Sequence, residues 1–298
     1  QKNELIMKKR FLLLSVFDKT KTDSLNMDLN STKSDLERIN IMNELSYELR
    51  NFDPKQSYQY GLHSLKLALN LNIKEEILSS YDNLAVYHLF CGNLDSAEIY
   101  SLRAFEIAKK INNKRQEGLQ YNILGLIYQE KGDYLTAIEY LQVSYNVLKK
   151  GGFNEDITKP INSLGICYRE IGKYKKAISL YEDALNICKA NNDQIGYASN
   201  ISNLGITYEK LGSYDIALRY YYKALEIVEN QEQNSWLTSI YINIAGIMIM
   251  QQQYDKALDF SQKAKTIATE MGESKGLINA YVVIGNIYNN QEYYDSAI

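Results

Sequence analysis

Leu164-Gly165-Ile166-Cys167-Tyr168, then Gly172-Lys173-Tyr174-Lys175-Lys176-Ala177, then Tyr181 and Ala184: this stretch decides the fold, because the chain repeats it. Forty residues on, the same offsets hold Leu204, Gly205, Tyr208, Gly212, Tyr214, Ala217, Tyr221 and Ala224. Working outward, a small residue recurs every 40 positions at Ala85, Gly125, Gly165, Gly205, Ala245 and Gly285. Nine residues after each stand Leu94, Tyr134, Tyr174, Tyr214, Tyr254 and Tyr294, and three further on Ala97, Ala137, Ala177, Ala217, Ala257 and Ala297. Six copies without a slip make internal repetition the organising feature of the chain.

Each copy reads as two helices joined by a tight turn. In the third copy, Tyr121, Leu124, Ile127 and Tyr128 have helical spacing, which predicts a first helix over roughly Gln120 to Lys131. Gly132-Asp133 stops it, glycine being favoured just past a helix end, and Gly92, Gly172 and Gly212 hold the same place elsewhere. A second helix starts near Tyr134 and runs through Ala137, Leu141, Ser144 and Leu148. Two antiparallel helices approach closely only where one side chain is a hydrogen or a methyl, which accounts for the recurring small residues. With only 2 prolines in 298 residues, nothing in the composition opposes a helical chain.

These residues resemble the tetratricopeptide repeats, whose pattern L-G-x2-Y, G-x-Y-x2-A, x3-[FY]-x2-A is met by Leu164 to Ala184 and again by Leu204 to Ala224. The resemblance implies an all-α fold, a right-handed superhelical solenoid of antiparallel helix pairs. The usual repeat has 34 residues and a proline near its end. This one has 40 and lacks that proline, so it is similar to the extended subclass of kinesin-light-chain-type adaptors and bacterial signalling proteins. The organisation expected is an N-terminal segment over 1–36, a short helix or partly disordered, and a solenoid over 37–298. The solenoid divides into a degenerate first repeat at about 37–75, five full repeats at about 76–276 and a half repeat at about 277–298. Asp53-Pro54 marks the turn of the first repeat, and atypical end repeats are usual because they cap the core.

Both ends invite a reading. Lys8-Lys9-Arg10 followed by Phe11-Leu12-Leu13-Leu14-Ser15-Val16-Phe17 has the order of an export signal. However, the apolar run is short and Asp18 stands where a small residue is expected, so an apolar patch packing on the first repeat is the plainer reading. The start at Gln1 and the stop at Ile298, one turn into a second helix, imply a fragment of a longer protein.

Lys and Arg total 33 against 36 Asp and Glu, a net charge of -3 that argues against nucleic-acid binding by this segment. No stretch reaches the ~20 apolar residues of a membrane helix, so any membrane attachment requires a segment not present here. Cys91, Cys167 and Cys188 are too few for a disulfide scaffold or a zinc cluster, and no metal or cofactor is expected. The histidines number two, His63 and His88, and no HExxH, CxxC, Walker or GxGxxG motif occurs. His88 sits where other copies carry Tyr128, Tyr168, Tyr208 and Tyr288, which makes it a packing residue. The chain therefore reads as a binding protein and not as an enzyme. Tyr220-Tyr221-Tyr222 cannot face one way on a helix, so at least one ring is expected at the surface.

By resemblance the first helices line the concave groove, where a protein or an extended peptide binds. Asn122 and Asn162 stand three residues before the small position, and Asn83, Asn203 and Asn243 stand two before it. An amide donates and accepts at once, so a row of them can hold an extended backbone without reading its sequence. Peptide-pheromone receptors with similar repeats use asparagine this way, although asparagine is also simply common at these positions in the 40-residue subclass. The two-carboxylate clamp of chaperone-binding members is missing, because Val86, Leu126, Ile166 and Ile206 occupy a position where it needs a polar residue. The favoured reading is the sensory segment of a bacterial signalling or transcription-regulatory protein with its output downstream, placed on the envelope or periplasmic side. A free-standing cytoplasmic adaptor and a peptide-pheromone-type receptor are the alternatives.

Overall fold

The structure, a computed structural model, describes residues 19–50, 53–229, 234–271 and 274–290. The run Phe11 to Phe17 and the last positions of the pattern, Tyr294 and Ala297, lie outside the described residues. Contacts group the chain into two compact units, one ending at Ile171 and the other beginning at Gly172. Among the described residues all regular structure is helical.

In the first unit α1 (Lys19–Ser31) precedes the pairs α2 (Asp35–Leu49) with α3 (Pro54–Leu71), α4 (Lys74–Phe90) with α5 (Leu94–Lys110) and α6 (Lys114–Lys131) with α7 (Tyr134–Lys150), and α8 (Thr158–Glu170) closes it. The second unit opens with α9 (Tyr174–Ala190), continues with α10 (Gln194–Lys210) and α11 (Tyr214–Glu229), then α12 (Asn234–Met250) and α13 (Tyr254–Glu270), and ends with α14 (Ser274–Asn290). Within each unit a first helix packs on its own second helix and also touches the first helix of the next repeat, while second helices make no comparable contact with one another. First helices therefore lie on the inner side of each stack.

Helix α6 starts six residues before the Gln120 expected from periodicity. The Asn113 side chain caps it by accepting from the Gln116 N–H at 3.1 Å, a local signal that apolar spacing does not carry. Asp53, Asp133 and Asp193 cap α3, α7 and α10 in the same way. The first-to-second turn places Gly132 at φ 78°, and the Asp133 N–H donates back to the Tyr128 carbonyl at 2.9 Å, which satisfies an end carbonyl of α6. The second-to-first turn repeats as well, with Asn72, Asn112, Gly152 and Asn192 all at positive φ, a conformation asparagine tolerates better than most residues.

The core follows the 40-residue pattern. Ala97, Ala137, Ala217 and Ala257 are fully buried, as are Leu84, Leu124 and Leu204 on the first helices. One repeat departs from it. Residues 151–157 form turns where a first helical turn is expected, and α8 is shorter than the other first helices. Asp156 is buried in this turn and accepts from Arg115 Nε at 2.6 Å and Lys159 Nζ at 2.9 Å. No helix among the described residues is long and apolar enough to cross a membrane.

Candidate functional site

The inner side of the first unit carries a polar site built from neighbouring first helices. Asp82 of α4 accepts a hydrogen bond from the Gln120 amide of α6, and the Gln120 carbonyl oxygen accepts in turn from Ser101 Oγ at 3.0 Å. Gln120 and Ser101 are fully buried, so their rotamers are fixed and the Asp82 carboxyl group is held in place. Burial pushes this carboxyl above the usual carboxylate range, and the Gln120 hydrogen bond and the charges of Lys159 and Arg50 only partly offset that.

Asn122 takes the position on α6 that Asp82 takes on α4. It is 7% exposed, and its Oδ1 has no hydrogen-bond partner among the described residues. Such an acceptor carries the cost of lost hydration with nothing in return until a donor arrives. Asn162, half-buried, stands at the same position on α8. The other three asparagines are one residue later, about 100° further round the helix. Asn83 spends its amide on the Asn43 carbonyl of α2 at 2.9 Å, which ties one first helix to the next. In the second unit Asn203 is buried and Asn243 half-buried. The structure thus brings Asp82, Asn122 and Asn162 to equivalent positions and gives Asn83 a partner inside the stack.

Around Asn43 the seam between repeats is fully paired. Its Oδ1 accepts from Ser64 Oγ at 2.6 Å and Ser80 Oγ at 3.0 Å, and its Nδ2 donates to Glu76 Oε2 at 3.1 Å. This network is mortar between helices. His88 lies among aromatic rings, stacked on Tyr100 with centroids 5.3 Å apart and edge-on to Tyr58, as a packing residue would. Of the tyrosine run, Tyr221 is fully buried and Tyr222 is exposed. Sequence reasoning passed over Asp82, although it takes the place of Asn122 one repeat earlier. Arg50 and Lys159 carried no signal of their own, because folding alone brings them to it.

A family model described as tetratricopeptide repeat matches residues 76–150 and 156–230, together half of the chain. The chain belongs to the tetratricopeptide-repeat family. No curated protein matches the sequence. Among solved structures, this tetratricopeptide-repeat chain is similar to the apo form of the quorum sensor NprR from B. thuringiensis (TM-score 0.69, 16% identity, 93% of this chain and 78% of that one). It is also similar to a Rap protein complexed with competence and sporulation factor (TM-score 0.67, 16% identity, 92% and 81%). A third match is aspartyl phosphate phosphatase F from Bacillus subtilis (TM-score 0.63, 12% identity, 99% and 88%). At these identities the likeness shows the fold alone, an all-α stack of tetratricopeptide helix pairs. The envelope-side placement expected from sequence is corrected. It rested on resemblance to membrane-anchored sensors, whereas these matches are to a quorum sensor and Rap-type proteins, and no described helix is long and apolar enough to cross a membrane.

Proposed function

We propose that this tetratricopeptide-repeat chain is a non-catalytic receptor for an extended peptide, of the free-standing adaptor or peptide-pheromone-receptor kind. The observation that carries the reading is the equivalence of Asp82, Asn122 and Asn162 on successive first helices, with Asn122 Oδ1 buried and unpaired. Amide and carboxylate groups one repeat apart suit a ligand whose own N–H and C=O groups recur along its length. A Rap protein of the same fold is complexed with competence and sporulation factor, which supports a ligand rather than a purely structural role for such a stack. The matches to a quorum sensor and to a Rap protein complexed with competence and sporulation factor favour this reading over the sensory segment preferred from sequence.

The test is a fluorescence-anisotropy screen of a pooled decapeptide library, followed by titration of the best binders. Asn122→Ala combined with Asn162→Ala should weaken those binders at least tenfold while the helical circular-dichroism signal and unfolding midpoint stay close to wild type. Equal affinity in the double variant removes these amides from the site, and an absence of binders removes the peptide reading itself.

A further inference from the structure

Gly246 has no structural reason to be glycine. Gly125 and Gly205 lie under the side chains of Leu141 and Tyr221, and Gly132, Gly172 and Gly212 stand at positive φ. Gly246 sits inside α12 without a positive φ, and a β-carbon added to it would meet nothing within 4 Å. Glycine in a helix interior is less stable than alanine, because its backbone loses the most freedom on folding. The four preceding repeats carry Val86, Leu126, Ile166 and Ile206 at this position. Within the chain nothing compensates the loss, so the gap points to something that enters from outside.

The gap stands in an uncharged, apolar face. Ile242 and Ile249, four residues before Gly246 and three after it, share that face and are partly buried against the core of the second unit. Where Ile249 stands, the three preceding repeats carry Gln129, Arg169 and Glu209. None of the residues of α12 is charged, so a charged group arriving here would lose hydration and gain no counter-ion. Asn243, three residues before Gly246, is half-buried, and its side-chain amide has no partner among the described residues.

We propose that Gly246 opens a subsite on the inner side of α12 for an uncharged apolar side chain, aliphatic or aromatic, of an extended peptide. This rests on the peptide reading above and deepens it by naming the chemistry of one ligand residue. The missing side chain leaves a notch between Ile242 and Ile249 that a ligand side chain fills in its place. The Asn243 amide, which donates and accepts at once, serves the ligand's main chain beside the notch.

A positional-scanning hexapeptide library, in which each fixed position is norleucine, phenylalanine, alanine, lysine or glutamate, tests this on the full chain. Wild type should select norleucine or phenylalanine over alanine, lysine and glutamate at one position by about tenfold or more. Gly246→Ile supplies the side chain that the two preceding repeats carry and fills the notch. It should abolish that preference, leave those at other positions intact, and hold or raise the unfolding midpoint, which separates lost preference from lost folding. A Gly246→Ile protein that keeps the apolar preference, or a wild type that binds peptides without one, overturns the subsite while the peptide groove stands. If no library peptide binds wild type, both fall together. Sedimentation checks the other occupant: a wild type that dimerises beside a Gly246→Ile protein that does not assigns the face to a second copy and overturns the proposal.

Discussion

Tyr221 of α11 lies against Gly205 of α10 so closely that a β-carbon on the glycine would stand 2.6 Å from the ring's Cε1 and 2.7 Å from Cδ1. The first unit has the same crossing, where a β-carbon on Gly125 would meet Leu141 Cγ at 2.5 Å. Where the first helix carries alanine, the residue 16 positions later is small instead: Ser101 follows Ala85 and Ser261 follows Ala245, all four fully buried. The second helix therefore brings a large side chain to the crossing where the first supplies glycine, and a small one where the first supplies alanine.

Gly205→Ala should destabilise the chain by about 1–3 kcal/mol, because the ring of Tyr221 must move within a filled core. Tyr221→Ser, which copies the alanine–serine crossings, empties core volume and destabilises by itself, but it should cost less in the Gly205→Ala background than in wild type. Urea unfolding midpoints of the four members of this double-mutant cycle measure the coupling. Strict additivity would show that the two positions do not share one space.

Asp156 predicts an acid limit. Burial alone would raise its pKa, but the hydrogen bonds from Arg115 and Lys159 outweigh that and hold the carboxyl below the ordinary range. A group depressed in the folded state lends stability that is present above its unfolded pKa of about 3.9 and is lost as pH falls through the folded value. Wild type should lose stability below about pH 4, and Asp156→Asn should be weaker at neutral pH by on the order of 1–2 kcal/mol, both cations keeping solvent contact. Thermal midpoints from pH 7 to pH 3 should therefore converge for the two proteins at the acid end.

His88 predicts a second, milder window. Burial among the rings of Tyr58, Tyr87 and Tyr100 lowers its pKa, and its Nδ1 has no hydrogen-bond partner among the described residues. The unfolded chain then binds a proton near pH 6.5 that the folded chain refuses, so stability should start to fall below that pH. His88→Tyr restores the residue of four other repeats and should flatten the midpoint between pH 7 and pH 5. An unchanged slope in that variant would assign the effect to other groups.

The thiols should be silent. All three cysteines are buried, and burial pushes Cys167 and Cys188 up to about 12 and raises Cys91 as well. Ellman's reagent at pH 8 should titrate no thiol rapidly in the native protein and three after guanidinium is added. Rapid native labelling at any of them would place that cysteine outside the core.

Much of the fold was legible in advance because the repeat displays it many times over. The positions of Ala137 and Ala217, the glycine turns and the buried leucines follow from a 40-residue period read against the geometry of a helix. The start of α6 at Asn113 was missed because a cap is a single polar residue outside the apolar pattern. The displaced start of α8 was missed because the turn around Asp156 is held by Arg115, 41 residues away.

For the candidate site the division is sharper. The sequence by itself determined that amide-bearing residues recur on the first helices, because composition and spacing are local facts. Only the tertiary structure decided which of them remain available. Asn83 and Asn122 differ by one residue in register, yet the first donates to Asn43 across a helix interface and the second is buried with a free acceptor. One residue on a helix turns a side chain by about 100°, and what it then meets is set by a neighbour some 40 residues distant. The raised pKa of Asp82 is of the same kind, because the burial that causes it and the charges of Lys159 and Arg50 that partly offset it arise only on folding.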